Sequence, residues 1–150
     1  MGAVVAIKPG FGYVLGTACA SYFVHHMYMS FKVVKARKQF GVEYPALYAD
    51  NSNCSDEKSC QTFNCVQRAH QNSLENQPIF LALLTLSGLQ YPVTAATFGG
   101  LYLAGRIGYV QGYSTGDPQK RVNYLTALGY VGIFGLVGTS IKFAADLLSK

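Results

Sequence analysis

Three side chains of different chemistry share one helical face near the middle of the chain. In Arg68-Ala69-His70-Gln71-Asn72-Ser73-Leu74-Glu75 the guanidinium, the amide and the carboxylate stand at i, i+4 and i+7. That spacing stacks side chains on one side of a helix. A cation, an amide and an acid together suit a small polar ligand with more than one carboxylate and one ammonium. The segment then turns apolar, and ionisable groups at membrane depth are costly and mark function by default. The alternative is that Arg68 and Glu75 lie at the membrane interface and pair with other helices. A second polar face stands at Arg106, Tyr109 and Tyr113, at i, i+3 and i+7. Tyrosines alone fit an ordinary aromatic belt. Convergence favours a site: both faces fall at the same end of adjacent helices, beside Arg37 and the Lys120-Arg121 pair. The expected result is a cationic pocket with one acid, opening towards lipid, where an apolar co-substrate would sit.

Those faces need helices to carry them. Half of the 150 residues are hydrophobic and 13% are charged, well below the usual quarter for soluble domains. Mean hydropathy is only +0.18, because polarity is concentrated: five of the seven acids lie between Glu43 and Glu75. Pro9 to Phe31, Asn76 to Gly105 and Val122 to Ile141 carry no Lys, Arg, Asp or Glu. Such runs are long enough to cross a bilayer. Gln90-Tyr91-Pro92 interrupts the middle run as a tight turn. The reading is an all-α, integral membrane four-helix bundle, one domain over residues 1–150, with helices at about 11–38, 62–89, 93–113 and 119–148. The first apolar run has no convincing cleavage site and is expected to stay as a helix. The Met1-Gly2 start lacks Ser or Thr at position 6, which argues against myristoylation.

A net charge of +5 could suggest nucleic acid, but the basic residues cluster at helix ends. With the loops after the first and third helices in the cytosol, nine Lys and Arg lie on that side and three on the other. The positive-inside rule then puts both termini in the lumen. No nucleic-acid partner and no metal are expected. Cys54, Cys60 and Cys65 are spaced by five and four residues, which is not a zinc pattern. Cys54 and Cys60 would pair if luminal; on a cytosolic loop they stay reduced. Cys19 reads as a small packing residue. Gly12, Gly16 and Ala20, and again Ala104, Gly108 and Gly112, form small-residue stripes at four-residue spacing. These allow close helix packing, within the chain or between subunits alike.

The segments Asn64 to Glu75 and Gly105-Arg106-Ile107-Gly108-Tyr109-Val110-Gln111-Gly112-Tyr113 resemble the membrane-associated eicosanoid and glutathione metabolism (MAPEG) family. Lys35-Ala36-Arg37-Lys38 followed by Val42-Glu43-Tyr44-Pro45 strengthens the likeness, which covers nearly the whole chain. The resemblance implies a homotrimer in the endoplasmic reticulum membrane, with glutathione bound between neighbouring subunits near the cytosolic face. It implies that Arg37, Arg68 and Asn72 hold the carboxylates and backbone of glutathione and that Glu75 takes its α-ammonium. Tyr109 and Tyr113 would line the same site, with His70 and Gln111 beside them. Arg121 would face the thiol as the catalytic residue, in competition with Lys120, because the link from Tyr113 to the basic pair differs by one residue from that of relatives. The implied activity is glutathione transferase and glutathione-dependent peroxidase on lipophilic electrophiles and lipid hydroperoxides, extending to conjugation of leukotriene A4 to leukotriene C4. Relatives that make leukotriene C4 have Tyr directly after the motif Glu; this chain has Asn76, which removes one ligand contact. The competing functions are a non-catalytic lipid-binding accessory protein of the same family and a channel-like oligomer.

Overall fold

A computed structural model describes residues 7–149. The Met1-Gly2 start and Lys150 lie outside the described residues. All regular structure within them is helical. Helix α1 (Phe11–Tyr22) runs through a π-helical turn (Phe23–Tyr28) into α2 (Met29–Phe40), and the three form one rod because the junction residues keep helical dihedrals. Helix α3 spans Glu57–Gln90, α4 spans Pro92–Tyr113, a 3₁₀ turn covers Pro118–Arg121, and α5 spans Tyr124–Leu148.

Local chemistry sets these ends. Gly41, at φ 70°, closes α2, and its amide donates to the Arg37 carbonyl; glycine takes this left-handed stop without a Cβ penalty. Asp56 caps α3 by accepting from the Ser59 amide. The Ser59 hydroxyl and amide hold the Asp56 carboxyl below the usual carboxylate range. The cap starts α3 at Glu57, five residues before the expected 62: the orphan amides of a first turn recruit the nearest side-chain acceptor. Pro92 stands in the first turn of α4, where its missing N–H costs nothing. The last helix also departs from the expected start at 119. Pro118 to Arg121 form a 3₁₀ turn, Val122 is extended, and Asn123 caps α5 by accepting from the Thr126 amide.

The loop between α2 and α3 folds back on the helices. Val42 and Ala49 pack with Val33, Phe63 and Val66 in one buried cluster. Asn64 holds the loop backbone at both hydrogen-bonding groups of Ala49, at 2.7 and 2.9 Å. Here Cys54 and Cys60 are joined in a disulfide, with Cα atoms 5.7 Å apart. The expectation of reduced thiols is therefore corrected: the turn that delivers Asp56 to the helix start also brings the two cysteines within bridging range.

The main core joins Val14 of α1, Phe80 and Leu84 of α3, Ala95 and Tyr102 of α4 and Leu136 of α5. Outside it the surface is apolar: Tyr13, Phe23, Phe31, Ile79, Val131, Phe134 and Ile141 are all exposed. Polar groups lie inside instead. The Ser87 hydroxyl of α3 meets the Leu136 carbonyl at 3.0 Å and the Ser140 hydroxyl of α5 at 2.9 Å. Interior hydroxyls that bridge helices are common where the solvent is lipid. Among the described residues, α5 is the helix long and apolar enough to cross a membrane by length and composition.

Helices α4 and α5 meet along glycines. A Cβ on Gly105 would collide with Cα of Gly129, one on Gly108 with Cβ of Leu125, and one on Gly112 with the Lys120 carbonyl. Gly108 and Gly112 belong to the expected stripe, and Gly105, one residue beyond Ala104, joins them at the seam. A Cβ added to Gly12 or Gly16 on α1 would meet nothing within 4 Å. Both glycines border an open groove against α4.

Candidate functional site

Arg68 leaves α3 one turn before Asn72 and two turns before Glu75, so the three stand on one face as their spacing requires. Arg68 and Glu75 close on each other at 2.6 and 3.2 Å, a two-pronged ion pair with side chains 43% and 54% exposed. Opposite charges are thus held in adjacent, accessible positions. An amino-acid end group, carrying one carboxylate and one ammonium, matches this pair charge for charge.

Beside the pair lies a cavity of about 290 Å³ between α3, α4 and the start of α5. Asn72, Arg106, Tyr109 and Arg121 form its polar wall; Ile79 and Ile133 form its apolar wall. Arg106 donates to Asn72 Oδ1 at 3.0 Å and to Ser73 Oγ at 2.5 Å, with its guanidinium 4.4 Å from the centre of the Tyr109 ring. Tyr109 and Tyr113 meet edge to face at 5.6 Å. The Arg121 guanidinium lies 5.5 Å from the centre of the Tyr113 ring.

Arg121 reaches the cavity because of the turn that precedes α5. It is the last residue of the 3₁₀ turn, and its carbonyl accepts from the Thr126 hydroxyl at 2.8 Å. Lys120 points elsewhere: it is 64% exposed and sits 3.9 Å from Asp117. Of the two basic neighbours, Arg121 is the one on the cavity wall.

The single chain does not collect every expected residue. Arg37 is buried at the end of α2, between the rings of Tyr44 at 4.2 Å and Phe63 at 5.3 Å, and donates to the Val42 carbonyl. It borders a different cavity of about 490 Å³, formed with Glu43 and Tyr44. His70 turns towards α2, where its Nε2 lies 3.4 Å from the Ser30 hydroxyl. Gln111 is exposed on α4, off the cavity. Arg68, Asn72, Glu75, Tyr109, Tyr113 and Arg121 are brought together; Arg37, His70 and Gln111 are not.

Sequence reasoning named Arg106 as part of the polar face but gave it no contact of its own. It missed Tyr102, Thr126 and Tyr130 on the cavity wall. Tyr102 precedes Arg106 by four residues, so helical spacing alone puts it on the same face. Thr126 and Tyr130 come after a break in the chain whose angle no local pattern states.

A family model, that of the MAPEG family, matches residues 15–142. The chain is 31% identical over 112 residues to microsomal glutathione S-transferase 2 of Homo sapiens, an alignment covering 74% of this chain and 69% of that protein. It is 35% identical over 101 residues to leukotriene C4 synthase of Rattus norvegicus, covering 67% of this chain and 60% of that protein. To leukotriene C4 synthase of Bos taurus it is 33% identical over 94 residues, covering 62% and 56%. The match to the family takes in α3, α4, the 3₁₀ turn and most of α5, every element that supplies a residue of the site, and the chain belongs to the MAPEG family, whose members are membrane proteins.

Proposed function

We propose that this chain is a membrane-bound glutathione transferase that activates the thiol of glutathione against lipophilic electrophiles, with glutathione-dependent reduction of lipid hydroperoxides as a second activity of the same site. The observation that carries this reading is one cavity with a cationic wall containing Arg121 and an apolar wall of Ile79 and Ile133, next to the Arg68–Glu75 ion pair. The zwitterionic end of glutathione exchanges into that ion pair, carboxylate on Arg68 and ammonium on Glu75. Asn72, Tyr109 and Tyr113 line the remainder of the peptide, and the thiol lies against Arg121.

A free thiol has a pKa of about 8.5, so only a few per cent is thiolate at neutral pH. A fixed guanidinium in a site partly shielded from water favours the anion. Arginine keeps its charge there where lysine can lose it. A two-unit fall requires about 2.7 kcal/mol of differential interaction. The thiol proton leaves to water, and the thiolate sulfur forms a bond to the electrophilic carbon. The electron pair of the broken bond departs on the leaving group or on the epoxide oxygen, which then takes a proton. With a hydroperoxide, sulfur attacks the distal oxygen and the O–O bond breaks, giving an alcohol and a sulfenic acid that a second glutathione converts to the disulfide. Leukotriene A4 is an epoxide within this scheme, and Asn76, where relatives that make leukotriene C4 have tyrosine, is the position that bears on how efficiently it is used.

The separate location of Arg37, His70 and Gln111 supports a site completed by a neighbouring copy, in a homotrimer. The nine-to-three split of Lys and Arg supports four crossings of the endoplasmic reticulum membrane with luminal termini. The Cys54–Cys60 disulfide then faces the reducing side and is open to reduction. Within the family, Lys35-Ala36-Arg37-Lys38 with Val42-Glu43-Tyr44-Pro45 resembles microsomal glutathione S-transferase 3. The matched relatives carry other names, and the proposal rests on the thiol chemistry common to them.

The test is an ultraviolet titration of the thiolate in the glutathione complex. Wild-type protein is expected to show a bound thiol pKa about two units below that of free glutathione, and Arg121→Ala to return it to the free value with loss of turnover. An unchanged pKa and turnover in Arg121→Ala would remove Arg121 from the role, and Lys120→Ala would be the next variant.

A further inference from the structure

We infer that Arg106 is a positioning residue: it fixes which way round the Asn72 amide faces, so that Asn72 offers the site a hydrogen-bond donor. The inference rests on the proposed glutathione site and goes beyond it, because it gives Arg106, itself on the cavity wall, a role exerted through Asn72.

The polarity of the chain of contacts is determined at each link. Ser73 is fully buried, and its hydroxyl hydrogen goes to the Ala69 carbonyl at 2.8 Å. A hydroxyl has one hydrogen, so towards Arg106 the Ser73 oxygen can only accept. Nη2 of Arg106 donates there at 2.5 Å and to Asn72 at 3.0 Å. A guanidinium has donors and no acceptor. The Asn72 atom facing it is therefore the carbonyl oxygen, whichever way an unaided amide would settle. The amide nitrogen is left on the opposite side, towards Glu75 and the cavity that Asn72 lines. A donor in that position takes a carboxylate or carbonyl oxygen of the ligand and cannot take its ammonium. The result is a division of labour along one helical face: Glu75 selects the positive group, and Asn72 joins Arg68 in selecting oxygens.

Arg106 is well placed for such a role. It is the one charged residue in α4, and it ties α4 to α3 at the residue that lines the site. Without it the contact to Glu75 is what holds the Asn72 amide, and a ligand ammonium that takes over Glu75 leaves the amide free to turn its oxygen towards the ligand's oxygens.

A double-mutant cycle on glutathione affinity, measured on the full chain in bilayer discs, tests this. Arg106→Gln in the wild-type background is expected to weaken glutathione binding about ten-fold, the loss of roughly one hydrogen bond to a charged ligand. In an Asn72→Ala background the same change is expected to cost less than about two-fold, because the group it orients is gone. Arg106→Lys, which still donates to Ser73 and Asn72, is expected to recover most of the affinity. The loss should appear in KM for glutathione, with kcat at saturating glutathione unchanged. Equal losses from Arg106→Gln in both backgrounds would overturn the inference and leave the proposed function standing. No glutathione binding by the wild-type protein would overturn both.

Discussion

The glycines of α4 and those of α1 both recur at one-turn spacing and meet opposite fates. On α4, Gly105, Gly108 and Gly112 press directly on the backbone and Cβ atoms of the α5 region. On α1, Gly12 and Gly16 look out over an open groove. The first is a closed seam that fixes one wall of the candidate site; the second is a surface. Small residues permit close approach in lipid, but the pattern does not name the partner. The difference lies in the course of the chain beyond each stripe. Behind α4 the chain turns back within ten residues, through Gly116 at φ 85° and the 3₁₀ turn, and delivers α5 to the seam. Behind α1 the rod continues into α2, and no later element of the described chain returns to cover it.

The contrast can be broken most forcefully at the seam. Gly105→Val inserts a branched side chain where the Gly129 backbone already stands. Overpacking against backbone sits at the upper end of the usual range, about 3 kcal/mol, equivalent to a fall in Tm of about 6–12 °C for a chain of this size. Thermal unfolding in detergent reads it, and an unchanged Tm would mean that α4 and α5 are not in contact. A smaller loss is expected at the seam's end. Asn123 caps α5 through Thr126 and also donates to the Gly108 carbonyl at 2.9 Å. Asn123→Ala is expected to cost about 1–2 kcal/mol and to loosen Arg121, two residues away, so that affinity for glutathione falls with stability. Stability lost with affinity intact would separate the cap from the site. The smallest effect belongs to the groove. Gly16→Ala adds a methyl group to open space and is expected to stabilise the isolated subunit by about 0.5–1 kcal/mol. Destabilisation instead, measured with the oligomeric state by light scattering, would make the groove a second seam between copies.

The sequence carried the helical architecture because its signals are local. Uncharged runs, the Gln90-Tyr91-Pro92 turn and the basic end of α2 each act within a few residues. The α3 face was legible for the same reason: Arg68, Asn72 and Glu75 need only a helix to align them. Three things required the folded chain. The early start of α3 depends on the Asp56 side chain winning the first-turn amides. The choice of Arg121 over Lys120 depends on the 3₁₀ turn and the extended Val122, which set the direction of two adjacent side chains. The distance of Arg37 from Arg121 depends on how the first rod packs, and spacing along a sequence says nothing of that.

The π-helical turn at Phe23–Tyr28 bears on how such chains are compared. A π turn holds one residue more than an α turn, and each residue advances a helix by about 100°. It is the trace that a single inserted residue leaves in a rod that stays unbroken. Residues beyond it, from Met29 to Arg37, are rotated by that angle relative to a relative whose first rod is α-helical throughout. An ungapped alignment across Phe23–Tyr28 therefore pairs side chains that point in different directions. Against a relative whose rod lacks the π turn, a one-residue gap has to be placed inside Phe23–Tyr28 before Arg37 or Lys38 is equated with any of its residues.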